Sequence, residues 1–96
     1  MVTAIVLIRC VRDSIPEVAE RIAAYPEISE VYSVAGQIDL VALVRAPDLE
    51  GLADVVTRRL LRESAITHTE TLIGFRAYSR YDLEHLFSLG LNAPES

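Results

Sequence analysis

Two segments of this chain are apolar at both alternating positions, and that limits its possible folds more than any other feature. In the run VTAIVLIRCV, one parity carries Val2, Ala4, Val6, Ile8 and Cys10, and the other carries Ile5 and Leu7. In IDLVALVR, Ile38, Leu40, Ala42 and Val44 stand against Val41 and Leu43. Both runs are rich in β-branched residues, and strands apolar at both parities need cover on both faces of their sheet.

The rest of the chain offers two helices to provide that cover. Ser14 and Glu17 have capping-box spacing, Pro16 suits a first helical turn, and Ile15, Val18, Ala19, Ile22 and Ala23 form an apolar stripe. Pro26 predicts that this helix stops near Tyr25. A second helix is expected after Pro47, with Asp48 as N-cap and Leu49, Leu52, Ala53, Val56 and Leu60 on its buried side. Extended runs are predicted over residues 28–35 and from Ile66 to about Tyr78. Thr67, Thr69 and Thr71 share one parity of the last run.

The resulting order, βαββαβ, predicts an α+β fold of the ferredoxin-like kind, an antiparallel four-stranded sheet with both helices on one face. The halves echo each other: Val6-Leu7-Ile8-Arg9 corresponds to Ala42-Leu43-Val44-Arg45, and Gly36 to Gly74. Helices on one face leave the other apolar face bare. At about 25 cal/mol per Å² such exposure is costly, and a second copy of the chain is the simplest cover. The expected assembly is a homodimer of the α/β-barrel type.

With 96 residues, of which 51% are hydrophobic, the chain has material for one core and one domain. A net charge of −5 argues against direct DNA binding, which draws on clustered cations. Arg58, Arg59 and Arg62 read as a solvated helix face. A single cysteine, Cys10, allows no internal disulfide, and the apolar start lacks a basic n-region and a cleavage site. A cytoplasmic protein with no membrane association is therefore expected. At the C-terminus Asp82, Leu83, Leu86 and Phe87 suggest a short amphipathic helix, and residues 92–96 a polar tail.

No enzyme signature is present. His68 and His85 fall on different elements without ligand spacing, so no metal site, cofactor or catalytic group is expected. The hairpin VYSVAGQIDL stands out instead. Gly36 is followed three positions later by Asp39 and then by Leu40, and this pattern resembles the hairpin of the Lrp/AsnC (feast/famine) ligand-binding, or RAM, domain. Thr67-His68-Thr69-Glu70-Thr71 is similar to that family's threonine-containing last strand. The resemblance covers residues 1–91.

The resemblance implies an effector-binding and oligomerisation domain rather than an enzyme. It implies an amino acid or similar metabolite bound at subunit interfaces, with Val34, Ala35, Gly36, Gln37, Ile38, Asp39, Thr69 and Thr71 as ligand-binding residues. It implies a homodimer and higher oligomers, from tetramer to octamer or decamer. Full regulators add an N-terminal helix-turn-helix domain, whereas here the first strand begins at Val2. A stand-alone form is expected, which regulates transcription by co-assembly with a full-length Lrp/AsnC regulator. The residues are also compatible with a dimeric α+β-barrel enzyme, such as a cofactor-free monooxygenase or isomerase, or with a purely structural oligomerisation domain.

Physically, backbone N–H groups of the turn suit a ligand carboxylate, and Asp39 suits an α-ammonium. Each residue also has a simpler role: Gly36 as a positive-φ turn residue, Asp39 as a turn cap, and the threonines as strand formers.

Overall fold

The computed structural model describes residues 1–78. Strand β1 (Val2–Cys10) leads through a 3₁₀ turn (Arg12–Ser14) into helix α1 (Ile15–Ala23). Strands β2 (Ile28–Ser33) and β3 (Leu40–Ala46), helix α2 (Leu49–Asp54) and strand β4 (Ile66–Gly74) follow. The sheet order is β2-β3-β1-β4 with every neighbouring pair antiparallel, which is the expected ferredoxin-like α+β arrangement.

The two doubly apolar runs form the central strands. They pair with Val6 opposite Ala42 and Ile5 opposite Leu43, so the internally similar segments lie side by side. Alternation then sorts the side chains. Ala4, Val6, Ile8, Leu40, Ala42 and Val44 are fully buried and pack with Val18 and Ile22 of α1 and with Leu52, Val55 and Leu60. On the opposite face none of the described helices lies over Ile5, Leu7, Val41, Leu43 and Leu72. Ile5 is 38% exposed, Leu72 45% and the flanking Tyr32 49%. The Tyr32 hydroxyl donates to Glu30 Oε1 at 2.7 Å along the margin of this apolar patch.

Several local expectations are corrected. Ser14 does not cap α1 with its side chain; it closes the preceding 3₁₀ turn, its N–H donating to Val11 O at 2.9 Å. Pro16 does fall in the first turn. Asp48 caps α2 as predicted, Oδ1 accepting from Gly51 N at 2.8 Å. The helix does not continue regularly, however: Val55–Arg59 form a π turn and Leu60–Arg62 a 3₁₀ turn. The β-branched run Val55-Val56-Thr57 disfavours a regular helix, and the Thr57 hydroxyl donates to the Ala53 carbonyl at 2.6 Å.

The wider turn rotates the buried stripe onto Leu52, Val55 and Leu60. Leu49 and Ala53 are left exposed and Val56 half-buried. Strands β2 and β4 end earlier than predicted, at Ser33 and Gly74, and β3 begins only at Leu40. The suggested C-terminal helix and the tail at 92–96 lie outside the described residues.

One member of the basic cluster expected to be solvated is tied down. Arg59 pairs with Glu27 at 2.7 Å and its guanidinium lies 4.5 Å from the centroid of the Tyr25 ring. The Tyr25 hydroxyl reaches Arg59 O and Glu63 Oε2 at 3.3 and 3.4 Å, and Arg21 pairs with Glu63 at 2.8 Å. This network fastens the α1–β2 corner to the end of the second helical segment. Among the described helices, none is long and apolar enough to cross a membrane.

Candidate functional site

Between Ser33 and Leu40, which pair across β2 and β3, the chain makes a loop of six residues, Val34–Asp39, rather than the two-residue connection implied by extended runs over 28–35 and from Ile38. The loop is closed by Val34 N donating to Asp39 O at 3.0 Å. Gly36 sits within it at φ 142°, a conformation that side chains disfavour, and a Cβ built there would meet nothing within 4 Å. Backbone conformation, and not crowding, is what calls for glycine at this position.

Asp39 joins the loop to β1. Its N–H donates to Ile8 O and its Oδ2 accepts from Cys10 N, both at 2.9 Å. These bonds continue the β1–β3 ladder past its last pair, Ile8 with Leu40. One carboxylate oxygen is thus used structurally, as an extended version of the turn-capping role. The Cys10 thiol behind it is buried, and burial first and the Asp39 carboxylate second push its pKa up. A protonated, buried thiol is a packing group and not a nucleophile.

At this end of the sheet a cavity of about 420 Å³ opens between the loop, the end of β1 and the start of β4. Gly36, Gln37 and Asp39 of the loop line it together with Arg9, Cys10, Arg12, Thr67 and His68. The antiparallel register sets Arg9 opposite His68. It then slips between Arg9 and Cys10, leaving Thr67 unpaired in the ladder, with its hydroxyl donating to Arg9 O at 3.2 Å. None of the ion pairs among the described residues involves Arg9 or Arg12.

Of the residues proposed from sequence, the structure gathers Gly36, Gln37 and Asp39 at the cavity. Val34, Ala35 and Ile38 belong to the same loop but do not line it. Thr69 and Thr71 lie opposite Ile8 and Val6, on the helix-facing side of the sheet. Thr71 instead lines a separate apolar cleft of about 280 Å³ between α2 and β4, with Leu49, Leu52, Ala53, Val56 and Ile73. Within one subunit the threonines therefore do not join the loop.

Arg9, Arg12, Thr67 and His68 were not singled out from sequence as site residues. The one signal for them was the β1–β4 pairing, which carries Arg9 to His68 once the strand order is assigned. Among the described residues, no group of three or more His, Cys, Asp or Glu is placed to hold a metal ion.

The sequence model of the Lrp/AsnC ligand binding domain matches residues 3–83. An uncharacterized HTH-type transcriptional regulator of Pyrococcus furiosus is 40% identical over 76 residues, covering 76% of this chain and 51% of the regulator. The chain thus spans about half the length of the curated relatives it matches. The crystal structure of TTHA0845 from Thermus thermophilus superposes with a TM-score of 0.78 at 51% identity, covering 83% of this chain and all of that one. At the level of fold alone, a complex of the transcriptional regulator NMB0573 from Neisseria meningitidis with L-Met superposes with a TM-score of 0.69 at 12% identity. It covers 82% of this chain and 53% of that one.

Proposed function

The chain belongs to the family of Lrp/AsnC ligand-binding domains, and on that premise we propose that it binds an amino acid or a similar small metabolite and assembles with further copies. The observation that carries this reading is the cavity at the end of β1, whose lining brings Arg9 and Arg12 together with Asp39 and Gly36. Such a site offers partners of both signs to a molecule bearing a carboxylate and an ammonium. Guanidinium–carboxylate and carboxylate–ammonium contacts in a partly desolvated cleft are the strong kind of hydrogen bond. A protein of the same fold has been solved with L-Met, which supports the ligand class without giving its side chain.

Assembly follows from the bare sheet face. A second copy laid over Ile5, Leu7, Val41, Leu43 and Leu72 would remove this patch from water. Thr69 and Thr71 point away from that contact, so in this reading they would meet a ligand only at a further subunit contact on the helix-facing side of the sheet. Because the relatives are HTH-type transcriptional regulators, the output of binding is a change in regulatory assembly, through co-assembly with a full-length regulator of the same family.

Thermal shift and calorimetry across the amino acids and common small metabolites test the binding. At a ligand concentration a hundred times Kd, the stabilisation is about 2.7 kcal/mol. A ligand whose binding weakens in Asp39→Asn supports the reading. Absence of any stabilising ligand, or binding indifferent to Asp39→Asn, contradicts it.

A further inference from the structure

We infer that the cavity at the end of β1 selects ligands with two carboxylates and an ammonium, the acidic amino acids, over amino acids with apolar side chains. This inference rests on the effector-binding reading and narrows its substrate class. Two guanidinium groups, Arg9 and Arg12, line the cavity, and neither is paired with a carboxylate among the described residues. The same lining holds one carboxylate, Asp39, and its Oδ2 already accepts the Cys10 N–H.

A zwitterion of zero net charge would satisfy one guanidinium and the free Asp39 oxygen, leaving the second cation unmatched. A ligand of net charge −1, with one ammonium for Asp39 and one carboxylate for each arginine, completes the set.

The lining itself points the same way. Gln37, Thr67 and His68 are polar, and the only apolar lining side chain among the described residues is Cys10, which is buried in the core beneath. An apolar ligand side chain would gain little by entering, since its transfer from water needs apolar surface to bury against. The apolar cleft formed by Leu49, Val56 and Ile73 lies on the other side of the sheet and cannot serve the same ligand. At about 420 Å³ the cavity is within the range of small-molecule sites, which runs from roughly 300 to 1,000 Å³.

Calorimetry on the full chain with L-glutamate, L-aspartate, succinate, L-leucine and L-methionine tests this directly. Glutamate or aspartate is expected to bind at least tenfold tighter than leucine or methionine, with succinate weaker than its amino counterpart because it lacks the ammonium. Arg9→Gln and Arg12→Gln are each expected to weaken the acidic ligand about ten- to a hundredfold, the scale of one lost charged hydrogen bond, with unchanged circular dichroism. Binding of leucine or methionine as tight as that of glutamate, and sensitive to Asp39→Asn, overturns the selectivity while leaving the effector site standing. Glutamate binding indifferent to both arginine substitutions also overturns it. If none of the five binds, the selectivity is overturned, and the effector reading is decided separately by the wider screen of amino acids and metabolites.

Discussion

The Oδ2 atom of Asp39 accepts a hydrogen bond from the backbone N–H of Cys10 at 2.9 Å, tying the β2–β3 loop to the end of the central strand. The residue with the best chemistry for an ammonium group is therefore also a fastening of the sheet. The observed hydrogen bond needs only an acceptor oxygen, whereas the proposed ammonium contact would need the charge.

Asp39→Asn and Asp39→Ala should consequently differ. The amide keeps an acceptor for Cys10 N–H, so its unfolding free energy should stay close to the parent's. Alanine leaves that part-buried N–H without its partner, at a cost of about 1–3 kcal/mol in urea denaturation. Equal stability of the two variants would show that the Cys10 bond contributes nothing.

Gly36→Ala should destabilise through the backbone alone. With φ at 142° and open space where a Cβ would stand, the cost is that of a sparsely populated conformation, about 1–3 kcal/mol. A stability within about 0.5 kcal/mol of the parent, read by the same denaturation, would contradict the strained-turn account.

Much of the fold was legible because a strand repeats every two residues. The buried row Ala4, Val6, Ile8 and the bare row Ile5, Leu7 follow from parity once β1 is recognised. The second helical segment was less legible, because its π turn changes the repeat at Val55–Arg59 and no periodicity rule anticipates that change. Ser14 had the right spacing for a cap but was used by the turn before it. At the site, Gly36 and Asp39 were visible as a local pattern. Arg9, Arg12 and His68 were not, because only the β1–β4 register and the turn after β1 bring them to the loop. The threonines were placed by residue type and resemblance, and their pairing with Ile8 and Val6 sets them on the helix-facing side.

Arg59→Ala should cost more than Arg58→Ala. Arg58 forms an exposed i,i+4 pair with Asp54, which is worth a few tenths of a kcal/mol at most. Arg59 combines a part-buried pair to Glu27 with stacking over Tyr25, for a sum of about 1–2 kcal/mol. Equal losses for the two variants would mean that the Tyr25 network is solvated and adds nothing.

Stability should fall at alkaline pH. Burial, reinforced by Glu63, raises the Tyr25 pKa above its ordinary 10.0. The folded state therefore holds the phenolic proton more tightly than the unfolded chain does. Its contribution is fully present below pH 10 and is lost as pH rises from there through the folded pKa. Tyr25→Phe should flatten this alkaline limb in pH-dependent denaturation, and an unchanged limb would exclude Tyr25 as its source.

Self-association should depend on the bare sheet face. Ile5 and Leu43 are cross-strand partners near the centre of the patch, and Ile5 is 38% exposed in the single chain, so Ile5→Lys need not disturb the core. Light scattering should give the parent a mass at least twice 10.6 kDa and the variant a lower one. A folded, soluble, monomeric parent would contradict the account of this face.

The central claim, a ligand site at the end of β1, is tested most directly by following backbone amide NMR shifts during titration with an amino acid that binds. The largest shifts should fall on Gly36, Gln37 and Asp39 together with Arg9, Arg12, Thr67 and His68, and should disappear in Asp39→Asn. Shifts concentrated instead around Leu49, Val56 and Ile73, with the loop unmoved, would contradict it.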